Sequence, residues 1–157
     1  MHLEYFQLID RIAEINVGAG TVIVEADVPD QSTIFEGHFP GFPLMPGVLL
    51  IEAMAQTSGW LLIATLNFER MPFLAAVKEA KMRRFVSPGE RLTIHGKLVH
   101  EGSGYAITEV AIKRDGKVAC NATLTFSHVP FPNAELRAHM AAMAQKIGFP
   151  QEVVRHG

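Results

Sequence analysis

The feature that most constrains this chain is a stretch of about twenty residues, 46–66, in which most side chains are apolar. Its leucine, isoleucine, alanine and methionine residues favour a helix, and Pro46 suits the first helical position because its missing N–H has no helical partner there. A helix that is apolar on every side has to be covered on every side. The simplest cover is a curved, mostly antiparallel sheet, with a partner subunit closing what remains. The pattern therefore predicts an α+β fold.

The same stretch is long enough to be considered as a membrane span, since about 20 apolar residues suffice to cross a bilayer. Its centre, however, carries polar side chains, including Glu52, Gln56, Thr57 and Ser58. A charge at the middle of a bilayer costs roughly 2.5–3.5 kcal/mol even on insertion scales. No lysine or arginine closely flanks either end. We therefore expect the core helix of a soluble protein and no membrane span.

Length and composition narrow the function classes. The 157 residues fit one domain, and the net charge of −2 favours neither nucleic acid nor an anionic membrane. The single cysteine, Cys120, excludes a disulfide within the chain. The opening residues MHLEYFQLID carry acids where a signal peptide needs lysine or arginine. These properties predict a cytoplasmic protein that binds no nucleic acid.

The rest of the sequence is dominated by strand patterns. Strands are expected at 21–28, 73–78, 92–100, 105–114 and 118–129. The turn sequence RDGK at 114–117 predicts that the last two of these strands form an antiparallel hairpin. Residues 5–15 are expected to form a short helix or an irregular lead-in. A tail helix is expected over 134–147, ended by Gly148 and Pro150.

Two side chains stand out as candidates for chemistry, Glu52 on the apolar helix and His38 in the loop before it. A carboxylate on that helix loses hydration, which favours the protonated acid that a general acid needs. A structural carboxylate, hydrogen-bonded to Gln56 or to loop N–H groups, explains Glu52 equally well. His38 lies in a loop stiffened by prolines, which holds the imidazole in place. Together an imidazole that takes a proton and an acid that gives one are suited to an elimination.

Gly47 is a candidate through its backbone. It lies in the first turn of the predicted helix, where N–H groups have no helical acceptor and the helix dipole is positive. A thioester carbonyl placed there would be polarised and its enolate stabilised. A glycine that merely permits tight packing of the loop explains the same residue as well.

The stretch GHFPGFPLMPGVLLIEAMAQ, residues 37–56, resembles the active-site segment of bacterial (3R)-3-hydroxyacyl-acyl-carrier-protein dehydratases of the FabZ type. The resemblance extends over roughly residues 2–127 and includes YFQLIDRI and AKMRRFVSPGE. It implies a hot-dog fold, in which an antiparallel sheet wraps around one long central helix. The fold would cover residues 1–130, followed by an extension over 131–157 that is expected to be helical. It also implies a homodimer, in many members assembled as a trimer of dimers.

The resemblance assigns roles to particular residues. His38 matches the family's catalytic histidine, Glu52 its catalytic glutamate and Gln56 the glutamine that orients the carboxylate. Gly47 matches the glycine whose N–H binds the thioester carbonyl. In the family the histidine and glutamate of one site come from different subunits. The acyl tunnel wall is then expected to include Phe39, Pro46, Val48 and Phe73.

The activity implied is dehydration of 3-hydroxyacyl-carrier protein to trans-2-enoyl-carrier protein in fatty acid biosynthesis. No metal or other cofactor is expected, because the phosphopantetheine arm belongs to the acyl carrier protein. A basic cluster, Lys78, Lys81, Arg83 and Arg84, is the expected docking site for that acidic partner. A solvated strand and turn would explain the same charges.

Several features depart from the family pattern and leave the substrate open. Lys78 stands where the family often has aspartate, Phe85 replaces a proline, and the extension is absent from the short members. The sequence of the motif and the tail also resembles members of a family branch that serves the synthesis of very-long-chain hydroxy fatty acids for lipid A. A hot-dog acyl thioesterase would use Glu52 to activate water, although the His38 motif fits it poorly. A non-catalytic acyl-carrier-binding protein would need the carboxylate only for structure.

Overall fold

The computed structural model describes residues 1–156, with the side chains of residues 1–154. After a short 3-10 turn at Leu3–Tyr5, the strands are β1 Arg11–Asn16, β2 Thr21–Asp27, β3 Arg70–Met82, β4 Arg91–Gly102, β5 Tyr105–Arg114 and β6 Lys117–Pro130. The helices are α1 Thr33–Gly37, α2 Gly47–Thr65, α3 Ala134–Ile147 and α4 Gln151–His156. Within the described residues the strands form one antiparallel sheet in the order β1-β2-β4-β5-β6-β3.

Helix α2 is the core of the molecule, and the sheet curves around it as the hot-dog fold requires. It contacts strands β2 to β6. Two buried hydroxyls join helix and sheet, since Ser58 Oγ lies 2.8 Å from Thr108 Oγ1 and neither residue is exposed. Gly96 of β4 leaves room for its strand neighbour, because a Cβ there would lie 2.9 Å from Val22 Cγ1 on β2. A buried apolar helix therefore has its predicted cover, and the α+β prediction is confirmed.

Membrane insertion is disfavoured by this burial. Within residues 1–156, α2 is the one helix that is long and apolar enough to cross a membrane by length and composition. Of that window 67% is buried inside the fold, as is usual for the core helix of a soluble protein. The helix begins at Gly47 rather than at the predicted Pro46, which is the N-cap with an extended backbone.

Sequence-based expectations fail at the N-terminus. Residues 11–16 form strand β1 rather than part of a short helix or irregular lead-in. The strand is mostly exposed, and a register shift between Ile12 and Glu14 interrupts its alternation, so its sequence lacks the usual strand period. Antiparallel pairing with β2 holds these residues as a strand, although their local pattern does not predict one. The five-residue helix α1 was also not expected, whereas α4 lies within the extension that was expected to be helical.

The tail helix is confirmed over the predicted range, 134–147. Asn133 caps its start by accepting a hydrogen bond from the Leu136 N–H at 2.7 Å, and Gly148 ends it at a φ of 81°. The predicted hairpin is also confirmed, because β5 and β6 pair in antiparallel register across the turn at 114–117. Local turn chemistry was sufficient to predict both.

Candidate active site

His38 is held in place at the end of α1. Its backbone N–H donates to the Ile34 carbonyl at 3.0 Å, and its carbonyl accepts from the Leu44 N–H at 2.9 Å. The imidazole Nδ1 lies 3.0 Å from the Leu44 carbonyl oxygen. Because a carbonyl only accepts, that contact assigns the proton of the neutral ring to Nδ1 and leaves Nε2 as an acceptor. The ring also stacks on Phe39, with 4.1 Å between centroids. A half-buried histidine fixed in this way presents one basic nitrogen.

Glu52 lies in the second turn of α2, and Gln56 fixes its carboxylate. The Gln56 Nε2 group donates to Glu52 Oε1 at 3.2 Å and to the Phe6 carbonyl at 2.7 Å. The Gln56 Oε1 atom accepts from the Leu8 N–H at 3.1 Å. These two backbone contacts settle which end of the amide faces Glu52. The N-terminal segment therefore orients the carboxylate through Gln56.

Glu52 borders an apolar cavity of about 270 Å³ that runs along one face of α2. The cavity wall consists of Phe6, Glu52, Ala55, Gln56, Gly59, Trp60, Ile63, Met71, Pro72, Leu74, Phe126, Met140 and Met143. The wall residues that belong to α2, from Glu52 to Ile63, share one helix face and span about 16 Å at 1.5 Å per residue. Glu52 is the one ionisable side chain in this wall within the described part of the chain. A long apolar ligand with a polar end matches this distribution.

The residues predicted for the acyl tunnel do not line this cavity. Phe39, Val48 and Phe73 are 49%, 73% and 59% exposed on the single chain, and Pro46 is half-buried. The sequence reasoning missed Trp60, which lies two turns after Glu52 on the same helical face. Continuing that helical period from Glu52 would have found it.

The structure brings Glu52 and Gln56 together but does not place His38 in the same cavity of the single chain. Neither does Gly47 belong to its wall. The tunnel residues and the paired roles of His38 and Glu52 therefore stay predictions.

Gly47 is the first residue of α2, so its N–H has no acceptor within the helix. A Cβ at this position would lie 3.4 Å from Met82 Cε, at the tight end of ordinary contact. The Met82 sulfur in turn accepts a hydrogen bond from the Cys120 thiol at 3.1 Å. Burial raises the pKa of Cys120 to about 11, so the thiol keeps its proton at neutral pH and remains a donor.

The four basic residues predicted to dock a carrier protein are all exposed and follow one another along β3 and the turn after it. Lys78 is opposite Thr123 and Lys81 is opposite Asn121 in the pairing with β6. Arg83, the third member of the row, is fixed because its Nε donates to Asn121 Oδ1 at 2.7 Å. The row therefore forms one basic edge of the molecule.

The fold and the site define a hot-dog protein, and comparison with known proteins gives its family. The FabA-like domain family matches residues 1–123, so the chain belongs to the FabA-like family. A curated relative from Lactiplantibacillus plantarum, named 3-hydroxyacyl-[acyl-carrier-protein] dehydratase FabZ, is 38% identical over 74% of this chain and 80% of its own length. A FabZ of Oceanobacillus iheyensis is 37% identical over 80% of this chain and 90% of the relative. The resemblance to FabZ-type dehydratases is confirmed.

Solved structures show the same fold at lower identity. The protein smu.793 of Streptococcus mutans, bound to acetyl CoA, has a TM-score of 0.62 at 20% identity over 78% of this chain and 90% of its own. The conserved protein PA5202 of Pseudomonas aeruginosa has a TM-score of 0.63 at 19% identity over 80% of this chain and 91% of its own. At this identity the likeness concerns the hot-dog fold alone.

Proposed function

We propose that this chain is a hydro-lyase that dehydrates (3R)-3-hydroxyacyl-[acyl-carrier-protein] to the trans-2-enoyl form in fatty acid biosynthesis. The observation that carries the proposal is the carboxyl group of Glu52, held by Gln56 at the wall of an apolar cavity. The names of the curated relatives support the substrate class. The protein would act in the cytoplasm on a substrate delivered by its carrier.

The chemistry is an elimination across C2 and C3 of the acyl thioester. The Gly47 N–H hydrogen-bonds to the thioester carbonyl, which acidifies the C2 proton and stabilises the enolate that follows. The unprotonated Nε2 of His38 removes that proton. The electron pair forms the C2–C3 double bond as the C3–O bond breaks, and Glu52 donates a proton so that the hydroxyl leaves as water. A proton then returns from His38 to Glu52 before the next turnover. The chain needs no metal or cofactor of its own, because phosphopantetheine arrives with the carrier.

A second copy of the chain is the partner that would complete the site. Strand β3 is thirteen residues long and lies at the edge of the sheet, with β6 as its partner on one side. Exposed apolar side chains crowd this region, including Phe73, Val77 and Phe85 at 59%, 40% and 71% exposure. Long apolar edges of this kind pair with another chain. Pairing of two β3 strands would make one continuous sheet and cover the predicted tunnel residues.

The direct test follows the ultraviolet absorbance of the conjugated enoyl thioester, with a free-thiol reagent in the same cuvette. We expect 3-hydroxyacyl- and enoyl-carrier protein to interconvert without release of thiol. The chain-length profile then decides between general fatty acid synthesis and the very-long-chain branch. Thiol release would instead identify a thioesterase, and saturable binding without turnover would identify an acyl-binding protein.

Carrier docking by the basic edge predicts a selective effect of charge reversal. The double substitution Arg83→Glu and Arg84→Glu lies in the turn after β3, outside the strand proposed to pair between subunits. It should raise KM for carrier-bound substrate about tenfold, because long-range attraction to an acidic partner is lost. Turnover of the corresponding pantetheine thioester should not change, since it makes no carrier contact. Steady-state kinetics on both substrates at low and high salt measure the difference.

A control for this experiment is Lys146→Glu. Lys146 is also exposed, but it lies in the last turn of α3, which contacts β1 at the opposite edge of the sheet from β3. It should leave both KM values near those of the parent protein. Equal losses in all variants, or losses on the pantetheine substrate, would contradict docking at the basic edge.

A further inference from the structure

Helix α3 contributes to the cavity that contains Glu52, although it lies outside the part of the chain that the family match covers. The match ends at residue 123, whereas α3 begins at Ala134. Met140 and Met143 are half-buried and both line the cavity. Residues three apart share a helix face, so the two methionines present one apolar surface. One wall of the cavity is therefore specific to the C-terminal extension.

This wall is fixed at both ends by aromatic contacts with a buried ring, Phe68, just after α2. Before α3, Phe131 stacks on Phe68 with 5.7 Å between centroids. In the first turn of α3, the Arg137 guanidinium carbon lies 5.0 Å from the Phe68 centroid. After α3, Phe149 packs edge-on against Phe68 at 5.9 Å and against Trp60 at 5.4 Å. The methionines lie between these two attachments. Helix α3 is therefore docked on the body of the fold rather than loosely appended.

We infer that α3 forms a wall of the acyl-binding cavity and that Met140 and Met143 set the length of acyl chain it accepts. The inference rests on the proposed function, in which Glu52 lies at C3 and the acyl tail occupies the cavity. Methionine side chains are unbranched and polarizable, so they adapt their shape to an apolar ligand. Rigid or smaller side chains at the same positions would narrow or widen the space. A single missing or extra methylene in an apolar pocket changes affinity about tenfold or more.

Binding can be measured without turnover because Trp60, the single tryptophan of the sequence, lines the same cavity. Saturated acyl pantetheine thioesters, from butyryl through octanoyl to stearoyl, would be titrated while tryptophan fluorescence is followed. The double variant Met140→Phe/Met143→Phe should weaken stearoyl binding at least about tenfold and leave butyryl binding near the parent value. The double variant Met140→Ala/Met143→Ala should move the preference towards longer chains.

The control is Ala142→Phe, which adds a phenyl ring to the exposed side of the same helix. It should leave the length profile unchanged, and thermal melts of all variants verify that each is folded. Opposite shifts in the two double variants support the inference. An unchanged profile in both overturns it, even when the parent protein is an active dehydratase. A length-dependent fluorescence response that the variants alter, in a parent protein without dehydratase activity, supports the cavity wall while the proposed function fails.

Discussion

Replacing His38 by alanine should lower kcat/KM for dehydration by about 100- to 10,000-fold, the usual contribution of a positioned general base. In the parent protein the Leu44 carbonyl accepts a hydrogen bond from Nδ1 of His38, which leaves Nε2 free to take the C2 proton. Alanine removes that nitrogen and leaves the backbone contacts of residue 38 in place. The rate is measured by the ultraviolet absorbance of the enoyl thioester.

The matched control is His100→Ala on β4, where the exposed ring contacts Tyr105 at 4.7 Å between centroids. It should retain activity near that of the parent protein, and both variants should melt within a few degrees of it. A His38→Ala protein that is folded and turns over substrate at the parent rate would eliminate the proposed base.

Mixing two inactive variants should restore activity if one site takes His38 from one subunit and Glu52 from the other. Homodimers of His38→Ala and of Glu52→Gln each lack one group at both sites. A mixed dimer has one site with both groups intact and one with neither. Random reassociation makes half of the dimers mixed, so about a quarter of the parent activity should return. The experiment is unfolding, mixing at equal concentration, refolding and assay.

The control for this experiment is a mixture of His38→Ala with the double variant His38→Ala/Glu52→Gln, in which no arrangement makes a complete site. This mixture should stay inactive. Failure of complementation between the single variants, with dimers present by light scattering, would mean that each chain forms its own site or none. The cavity favours the shared arrangement, since its wall contains Glu52 but not His38.

The parts of the fold that sequence predicts well are those fixed by neighbouring residues. Helix α2 follows from an apolar run that no strand could match in length, and the β5–β6 turn follows from RDGK. The prediction of a short helix or irregular lead-in was wrong for β1. Its six residues are mostly exposed and a register shift interrupts them, so only pairing with β2 makes them a strand. Elements that depend on a distant partner carry little local signal.

The residues of the candidate site also differ in how far local sequence predicts them. Glu52 and Gln56 lie one helical turn apart, so their hydrogen bond was predictable from spacing alone. The contribution of Met140 and Met143 was not, because nothing in the sequence of α3 says which surface it packs on. The roles of His38 and Gly47 come from the family motif, since a loop histidine and a helix-start glycine have ordinary structural explanations.

The two backbone hydrogen bonds of Gln56 make the orientation of the Glu52 carboxyl group depend on residues 6–8. The amide is held by the backbone of Phe6 and Leu8, so any opening of that segment frees the carboxylate of Glu52 to reorient. Local segments of a fold open far more often than the whole domain unfolds. The fraction of molecules in which Glu52 is correctly oriented then cannot exceed the fraction in which this segment is closed. Deuterium uptake at the Leu8 amide would report it, residue by residue, in a protein that is otherwise fully folded.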